Sequence, residues 1–146
     1  MREMNIIETE HFKASEIIYS NKAKENNIDN TPKNDEIIGN INYTLQRLEK
    51  IRIQYNKPIL ITSGYRCEEL NRLVGGVKDS YHLCGLAVDL KYDSELFGFI
   101  KKNCKYDKLI LERGNKHTWI HLQFRKGNER NCSLTLYPNE KFDSSK

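Results

Sequence analysis

Apolar residues recur at intervals of three and four over residues 36–54, which predicts one long amphipathic helix with a single apolar stripe. The stripe consists of Ile37, Ile38, Ile41, Leu45, Leu48 and Ile51. A weaker pattern of the same kind predicts a helix over residues 12–24. Residues 26–34 between the two helices are rich in Asn, Asp and Pro, so we expect a loop there.

Short apolar runs in the second half of the chain predict strands. The expected strands cover residues 59–62, 86–91, 108–112, 118–124 and 133–137. The third and fourth of these strands are separated by a turn over residues 113–117 and should form a hairpin. Two more helices are expected over residues 68–74 and 94–104. Helices that come first and a mainly antiparallel sheet that follows predict an α+β fold.

The length of 146 residues predicts a single domain over residues 1–146, with a short lead-in over 1–11 and a frayed tail over 139–146. No apolar run approaches the roughly 20 residues that cross a membrane. Residues 1–12 also lack the apolar centre of a signal peptide. We therefore expect a monomer that is made in the cytoplasm and has no membrane partner.

The charge and the cysteines exclude two further classes of protein. The 24 basic and 20 acidic residues are interleaved and leave a net charge of +4, so we expect no nucleic-acid partner. The four cysteines include no CxxC pair, which argues against a cysteine-based zinc site. Without a secretion signal, their thiols are expected to be reduced.

Two of the four histidines are candidate metal ligands: His121 lies in a predicted strand, and His82 lies just before another. Asp89 and His121 each alternate with apolar residues, so their side chains are predicted to lie on the side of the sheet away from the core. Gly85 permits a sharp turn into the strand, which can bring His82 beside Asp89. Two imidazoles and one carboxylate suit a catalytic zinc ion and also iron, while spacing alone leaves open that both histidines are ordinary surface residues.

Several separate blocks of sequence occur in one order along the chain. They are Ser63-Gly64-Tyr65-Arg66, Leu70-Asn71, Val74-Gly75-Gly76, Ser80-x-His82-x-x-Gly85-x-Ala87-x-Asp89 and Trp119-Ile120-His121. Two more precede them: Phe12-x-x-x-Glu16-Ile17-x-x-Ser20-x-x-Ala23 and Ile28-x-Asn30-x-Pro32. Together these blocks resemble the zinc D-Ala-D-Ala carboxypeptidases of the peptidase M15 family, in its small phage-associated branch.

The resemblance implies a fold, a metal site and an activity. The fold would be the small α+β fold shared with the hedgehog signalling domain. The zinc ligands would be His82, Asp89 and His121, and the substrate would be bound by Arg66 and Ser80. A guanidinium can bind a substrate carboxylate or carbonyl through paired hydrogen bonds. The alternative role of Arg66 is a structural ion pair, and the alternative role of Ser80 is to cap a turn.

The general base is the point at which the chain departs from familiar family members. Several of these carry an acidic residue three positions before the last metal histidine, where this chain has Thr118. Glu112 is the best substitute, but its side chain shares a face with His121 only if the hairpin pairs Glu112 with Trp119 instead of Thr118. Glu112 as the base therefore predicts that shifted register. His117 is the competing catalytic candidate and would polarise the carbonyl or stabilise the oxyanion.

These inferences predict a zinc metallopeptidase that hydrolyses peptidoglycan stem peptides, as a D-Ala-D-Ala carboxypeptidase or an L-Ala-D-Glu endopeptidase. A phage lysin (endolysin) or virion-associated enzyme would fit, made without a signal peptide and reaching the bacterial cell wall after release or injection. The alternative is a metal-containing module on the same fold that binds the wall or builds the virion without catalysis. The replacement of the usual carboxylate by Thr118 favours this alternative.

Overall fold

The helices and strands of the chain were located in a computed structural model that describes residues 5–138. The elements are α1 (Ala14–Ile18), α2 (Asn21–Glu25), α3 (Asp35–Tyr55), β1 (Ile61–Ser63), α4 (Glu68–Leu73), β2 (Ala87–Lys91), α5 (Ser94–Asn103), β3 (Lys108–Arg113), β4 (Thr118–Gln123) and β5 (Cys132–Leu136). A single 3-10 turn, Tyr81–Cys84, precedes β2. The predicted tail and the first four residues of the predicted lead-in lie outside the described residues. None of the described helices combines the length and the apolar character needed to cross a membrane.

The strands form one five-stranded sheet in the order β1-β2-β4-β3-β5. Its neighbouring strands are antiparallel, except that β5 runs parallel to β3. The α+β class and the mainly antiparallel sheet are therefore confirmed. The helices expected over residues 68–74 and 94–104 are found as α4 and α5, which lie between strands in the sequence.

The long helix α3 confirms the prediction made from its apolar stripe, and this stripe forms the centre of the core. The Asn34 side chain caps the helix by accepting the backbone N–H groups of Glu36 and Ile37 at 2.7 and 3.2 Å. The apolar side chains that pack between α3 and the sheet include Ile41, Leu45, Leu48, Ile51, Val88, Leu90, Ile120 and Leu122. Burial of these side chains contributes about 1.5–3 kcal/mol each and holds the helix against the sheet.

The predicted single helix over residues 12–24 is wrong, because the structure has two short helices with a break between them. Ser20 is extended, and its hydroxyl caps α2 by accepting the N–H of Ala23 at 3.2 Å. The carbonyl of Ile17 accepts the N–H of Tyr65 at 2.8 Å. A Cβ atom on Gly64 would lie 2.3 Å from that carbonyl oxygen, so the close contact requires glycine. The break thus serves a contact between distant parts of the chain.

The two faces of the sheet differ in chemistry as the alternation predicted. Val88 and Leu90 pack towards α3, while Asp89 lies on the opposite face and pairs across the strands with His121. This polar face is nonetheless covered, with Asp89 only 6% and His121 only 4% exposed. The 3-10 turn packs against β2 on this side and contributes to the cover.

Candidate metal centre

His82 lies in the 3-10 turn, whose two ends are formed by Ser80 and Gly85. The Ser80 hydroxyl accepts the N–H of His82 at 3.2 Å, and Gly85 ends the turn at a φ of +83°, which favours glycine. A Cβ atom on Gly85 would lie 2.7 Å from the Ile41 side chain. Glycine therefore gives the chain its turn into β2 and lets the turn pack directly on α3.

Two buried polar side chains of α3 hold this turn in place. Asn40 donates to the carbonyl of Cys84 at 3.0 Å, and Thr44 donates to the carbonyl of Gly85 at 2.7 Å. Neither residue was singled out from the sequence, although polar residues four apart beside an apolar stripe are a signal of such a contact. The position of His82 thus depends on the docking of α3.

The side chains of His82, Asp89 and His121 converge on one point. Asp89 Oδ1 lies 3.2 Å from His82 Nε2 and 3.3 Å from His121 Nδ1, and the three ligand atoms are within 4.8 Å of one another. Tetrahedral zinc with bonds of about 2.0–2.1 Å places its ligand atoms roughly 3.4 Å apart. The three residues therefore fit a zinc ion, and the same donors also suit iron.

The remaining nitrogen of His82 is held by the backbone. His82 Nδ1 lies 2.7 Å from the carbonyl oxygen of Gly64, which can only accept a hydrogen bond. Nδ1 therefore carries the proton, and Nε2 presents its lone pair to the cluster. The Ser63-Gly64 segment thus orients a ligand as well as meeting α1.

A chain of three side chains orients the other imidazole. The Asp107 carboxylate is fully buried and accepts from Gln123 Nε2 at 2.6 Å and from Arg130 Nη2 at 2.7 Å. Since a carboxylate only accepts, the Gln123 amide must turn its NH2 group to Asp107 and its oxygen to His121 Nε2, 3.1 Å away. His121 Nε2 then carries the proton and Nδ1 faces the cluster. Gln123 and Asp107 were not identified from the sequence.

The charge of Asp89 favours metal binding, whereas a proton on His121 competes with it. Burial alone would raise the pKa of Asp89, but its contacts with His82 and His121 outweigh burial and hold that pKa well below its usual range. Burial lowers the pKa of His82. Burial opposes a charge on His121, yet its hydrogen bond to Asp89 raises its pKa, so a metal ion bound there displaces a proton. An ionised carboxylate and neutral imidazoles are the forms that bind metal.

Arg66 and Ser80 lie beside the cluster, as the sequence analysis expected. The Arg66 guanidinium is 3.3 Å from Asp89 Oδ2 and donates to Asn71 Oδ1 at 2.9 Å. Arg66 therefore makes the structural ion pair that was the alternative to substrate binding, and it also lines the cleft. Ser80 likewise both lines the cleft and caps the 3-10 turn.

The hairpin has the shifted register that a catalytic Glu112 requires. Glu112 pairs with Trp119 and Ile110 pairs with His121, so the Glu112 side chain lies on the same face as His121. Burial raises the pKa of Glu112, and the negative charge of Asp89 raises it further. A positive charge on His121 acts in the opposite direction and lowers this pKa, as does the nearby indole N–H of Trp119, although that buried group makes no hydrogen bond of normal geometry. The predicted register is confirmed, whereas the catalytic role stays a prediction.

A cleft of about 290 Å³ opens beside the three ligands. Besides these ligands it is lined by Arg66, Val74, Gly75, Gly76, Val77, Ser80, Glu112 and Trp119. His117 does not line this cleft; it is exposed in the β3–β4 turn and lines a neighbouring cavity. The structure therefore brings together all the predicted site residues except His117.

Comparison with known proteins identifies one family. The family model described as Peptidase M15 matches residues 10–123, a range that includes every predicted site residue. No curated protein matches the chain.

Proposed function

The chain belongs to the peptidase M15 family of metal-dependent peptidases, and on this premise we propose that it is a zinc metallopeptidase that hydrolyses peptidoglycan stem peptides. One observation carries the proposal: a buried cluster of His82, Asp89 and His121 lies in a cleft to which Glu112 also contributes. Three protein ligands leave a position of a tetrahedral ion open, as in catalytic zinc sites.

The reaction needs a group that moves a proton, and Glu112 has the required environment. A zinc ion held by the three ligands would act as a Lewis acid that activates water and polarises the scissile carbonyl. Glu112 would accept the proton of the attacking water and deliver it to the nitrogen of the leaving amine as the peptide bond breaks. A raised pKa makes Glu112 a better base and allows it to hold that proton between the two steps.

Arg66, Ser80 and His117 are proposed to contact the substrate. Arg66 uses Nε, Nη1 and Nη2 towards Ser63, Asn71 and Asp89, and a guanidinium with five N–H groups retains donors for a substrate oxygen. Ser80 offers its hydroxyl in the cleft. His117, in the adjoining cavity, is proposed to polarise the carbonyl of a substrate that reaches beyond the cleft.

The biological setting is proposed from the resemblance of the motifs to the small phage-associated branch of the family. There the enzyme would act as a lysin or virion-associated enzyme on the bacterial cell wall. The donor set and the cleft are compatible with both a D-Ala-D-Ala carboxypeptidase and an L-Ala-D-Glu endopeptidase, so the assay below distinguishes them.

Mass spectrometry of products tests the proposal directly. Purified peptidoglycan and a synthetic stem pentapeptide are incubated with the zinc-loaded protein. Release of D-Ala identifies a carboxypeptidase, and cleavage after L-Ala identifies an endopeptidase. Absence of any product from either substrate contradicts the proposal and supports the non-catalytic wall-binding module.

Glu112→Gln is the matched variant for the catalytic step. It keeps the size of the side chain but removes the base, so we expect turnover to fall about 10²- to 10⁴-fold. Zinc content, measured by elemental analysis, should stay the same because Glu112 is not one of the three ligands. Full activity of this variant would show that Glu112 is not the base.

A further inference from the structure

A second cavity adjoins the metal centre on the side of the β3–β4 turn. It measures about 580 Å³ and shares Asp89 and Trp119 with the cleft. The other residues that line it are Thr62, Lys91, Tyr92, Lys116, His117 and Thr118. We call this cavity the basic pocket, because three of these six side chains can carry a positive charge.

The basic pocket continues the face of the sheet that carries the metal ligands. Lys91 follows Asp89 by two residues on β2, so both side chains lie on the same face. On β4, Trp119 pairs with Lys91, just as His121 pairs with Asp89. Two residues of a strand span about 6.6 Å. A peptide bound at the metal centre would therefore present groups to Lys91 from one or two residues away along its chain.

The two lysines of the basic pocket are free to bind a ligand anion. Both Lys91 and Lys116 are exposed, and neither makes an ion pair within residues 5–138. The one carboxylate of the pocket, Asp89, is already paired with His82, His121 and Arg66. Arg66 lines the cleft and not this pocket, and its charge is partly neutralised by its ion pair with Asp89. The pocket thus has an excess of positive charge at short range from the reaction centre.

We propose that the basic pocket binds a carboxylate that the substrate carries one or two residues from the scissile bond, with Lys91 and Lys116 as its partners. This inference rests on the proposed peptidase function. In a stem peptide, such a carboxylate comes either from the free C-terminus next to a D-Ala-D-Ala bond or from the D-Glu next to an L-Ala-D-Glu bond. Charge-assisted hydrogen bonds to a carboxylate are roughly twice as strong as neutral ones, so this contact would select acidic substrates.

The test combines two lysine variants with amidated substrates. Lys91→Met and Lys116→Met keep most of the aliphatic side chain and remove the charge, and Lys101→Met on α5 is the matched control. The peptides are a stem pentapeptide, its C-terminal amide, and a form in which the free carboxyl group of D-Glu is amidated. Hydrolysis is measured on the zinc-loaded proteins, and affinity is measured by NMR titration of zinc-loaded Glu112→Gln carrying the same lysine changes.

We expect the double lysine variant to weaken binding of the acidic peptide about tenfold or more, and Lys101→Met to leave it unchanged. The amidated peptide that binds the protein with both lysines more weakly than the acidic peptide does identifies which carboxylate is bound. That amide should bind equally to the proteins with and without the two lysines.

The outcomes separate this inference from the proposed function. If the protein hydrolyses stem peptides and the lysine variants match it on every substrate, the pocket assignment is wrong and the function stands. If no peptide is hydrolysed but carboxylate-dependent binding is lost in the lysine variants, the pocket stands and the peptidase function falls. Equal losses of binding on acidic and amidated peptides would also overturn the assignment, because they show an effect unrelated to charge.

Discussion

Gln123→Met should weaken zinc binding, because it removes the side-chain oxygen that accepts the Nε2–H of His121 at 3.1 Å. Methionine matches glutamine in length and fits a buried position, so the change removes hydrogen bonding with little change of volume. Gln123 is fully buried, and no solvent water is expected to take over the acceptor's place. The perturbation is therefore confined to the chain that runs from Asp107 to the imidazole.

The expected loss of affinity can be estimated from the contacts. A buried donor that loses its partner costs about 1–3 kcal/mol. In the metal-free variant, His121 can move its proton to Nδ1 and donate to Asp89 Oδ1, 3.3 Å away. In the zinc-bound variant Nδ1 is occupied, so the cost falls on the bound state. At 1.4 kcal/mol for each factor of ten, the dissociation constant for zinc should rise roughly 5- to 150-fold.

Competition with a chromophoric chelator measures this dissociation constant. Spectra of ¹⁵N-histidine in the zinc-loaded protein add a second readout, since the Nε2–H proton of His121 should be protected only while Gln123 accepts it. Tyr55→Phe is the control: it removes a hydroxyl that contacts Asp93 at 3.2 Å, away from the three ligands, and should leave zinc affinity unchanged. The exchanged pair Asp107→Asn/Gln123→Glu again offers an acceptor to His121 and should restore most of the affinity.

An unchanged zinc affinity in a folded Gln123→Met protein would refute the reasoning. It would mean that the hydrogen bond to His121 contributes nothing to the bound state. A loss that the exchanged pair fails to restore would point to altered packing around β4 instead of the lost acceptor.

Three further predictions concern stability. Gly64→Ala should destabilise the fold by about 1–3 kcal/mol in chemical denaturation, because the new Cβ would lie 2.3 Å from the Ile17 carbonyl oxygen. Gly98→Ala in α5, where the new Cβ would meet no atom within 4 Å, should instead stabilise the fold by about 0.5–1 kcal/mol. Equal effects at both sites would contradict the steric argument. With free zinc held at 1,000 times its Kd, removal of the zinc by a chelator should lower the Tm by roughly 8–16 °C. The Tm of His82→Ala should show no such dependence on zinc. Burial would raise the pKa of Asp107, but hydrogen bonds from Arg130 outweigh burial and lower that pKa. The contribution of the ionised Asp107 to stability is therefore complete above the unfolded-state pKa near 4 and is lost as pH falls through the lower folded-state pKa. The difference in unfolding free energy between the native protein and Asp107→Asn should narrow in acid, and a constant difference would contradict this prediction.

The local patterns of the sequence account well for the elements and for the ligand set. Periodicity located α3 and the hairpin strands, because each buries one continuous face and the spacing of apolar residues reports that face directly. The candidate ligands Asp89 and His121 were found for a similar reason: a polar side chain that alternates with apolar residues on a strand stands out against its neighbours. His82, in the 3-10 turn, was linked to them through the turn at Gly85 and the family resemblance. The motif blocks then placed these residues within a family, and the match over residues 10–123 agrees.

Other features were wrong or invisible because they depend on contacts between distant residues. The single N-terminal helix failed where the Ile17 carbonyl meets the chain near Gly64, a contact across 47 positions that no periodicity encodes. Asn40 and Thr44 read as ordinary helix residues until α3 docks on the 3-10 turn. Gln123 gained a role only through Asp107, which lies on the approach to a different strand.

The sequence by itself determined the α+β class, the pair of strands that carry Asp89 and His121, and the residue types of the candidate metal site. Only the tertiary structure decided the register that places Glu112 on the side of His121, and which nitrogen of each imidazole faces the cluster. The physical reason is that composition and periodicity report how each element is buried, whereas register and hydrogen-bond direction arise only when two elements pair. A shift of one residue in the hairpin would leave the hydrophobic pattern of each strand nearly as plausible and would remove the carboxylate from the cleft.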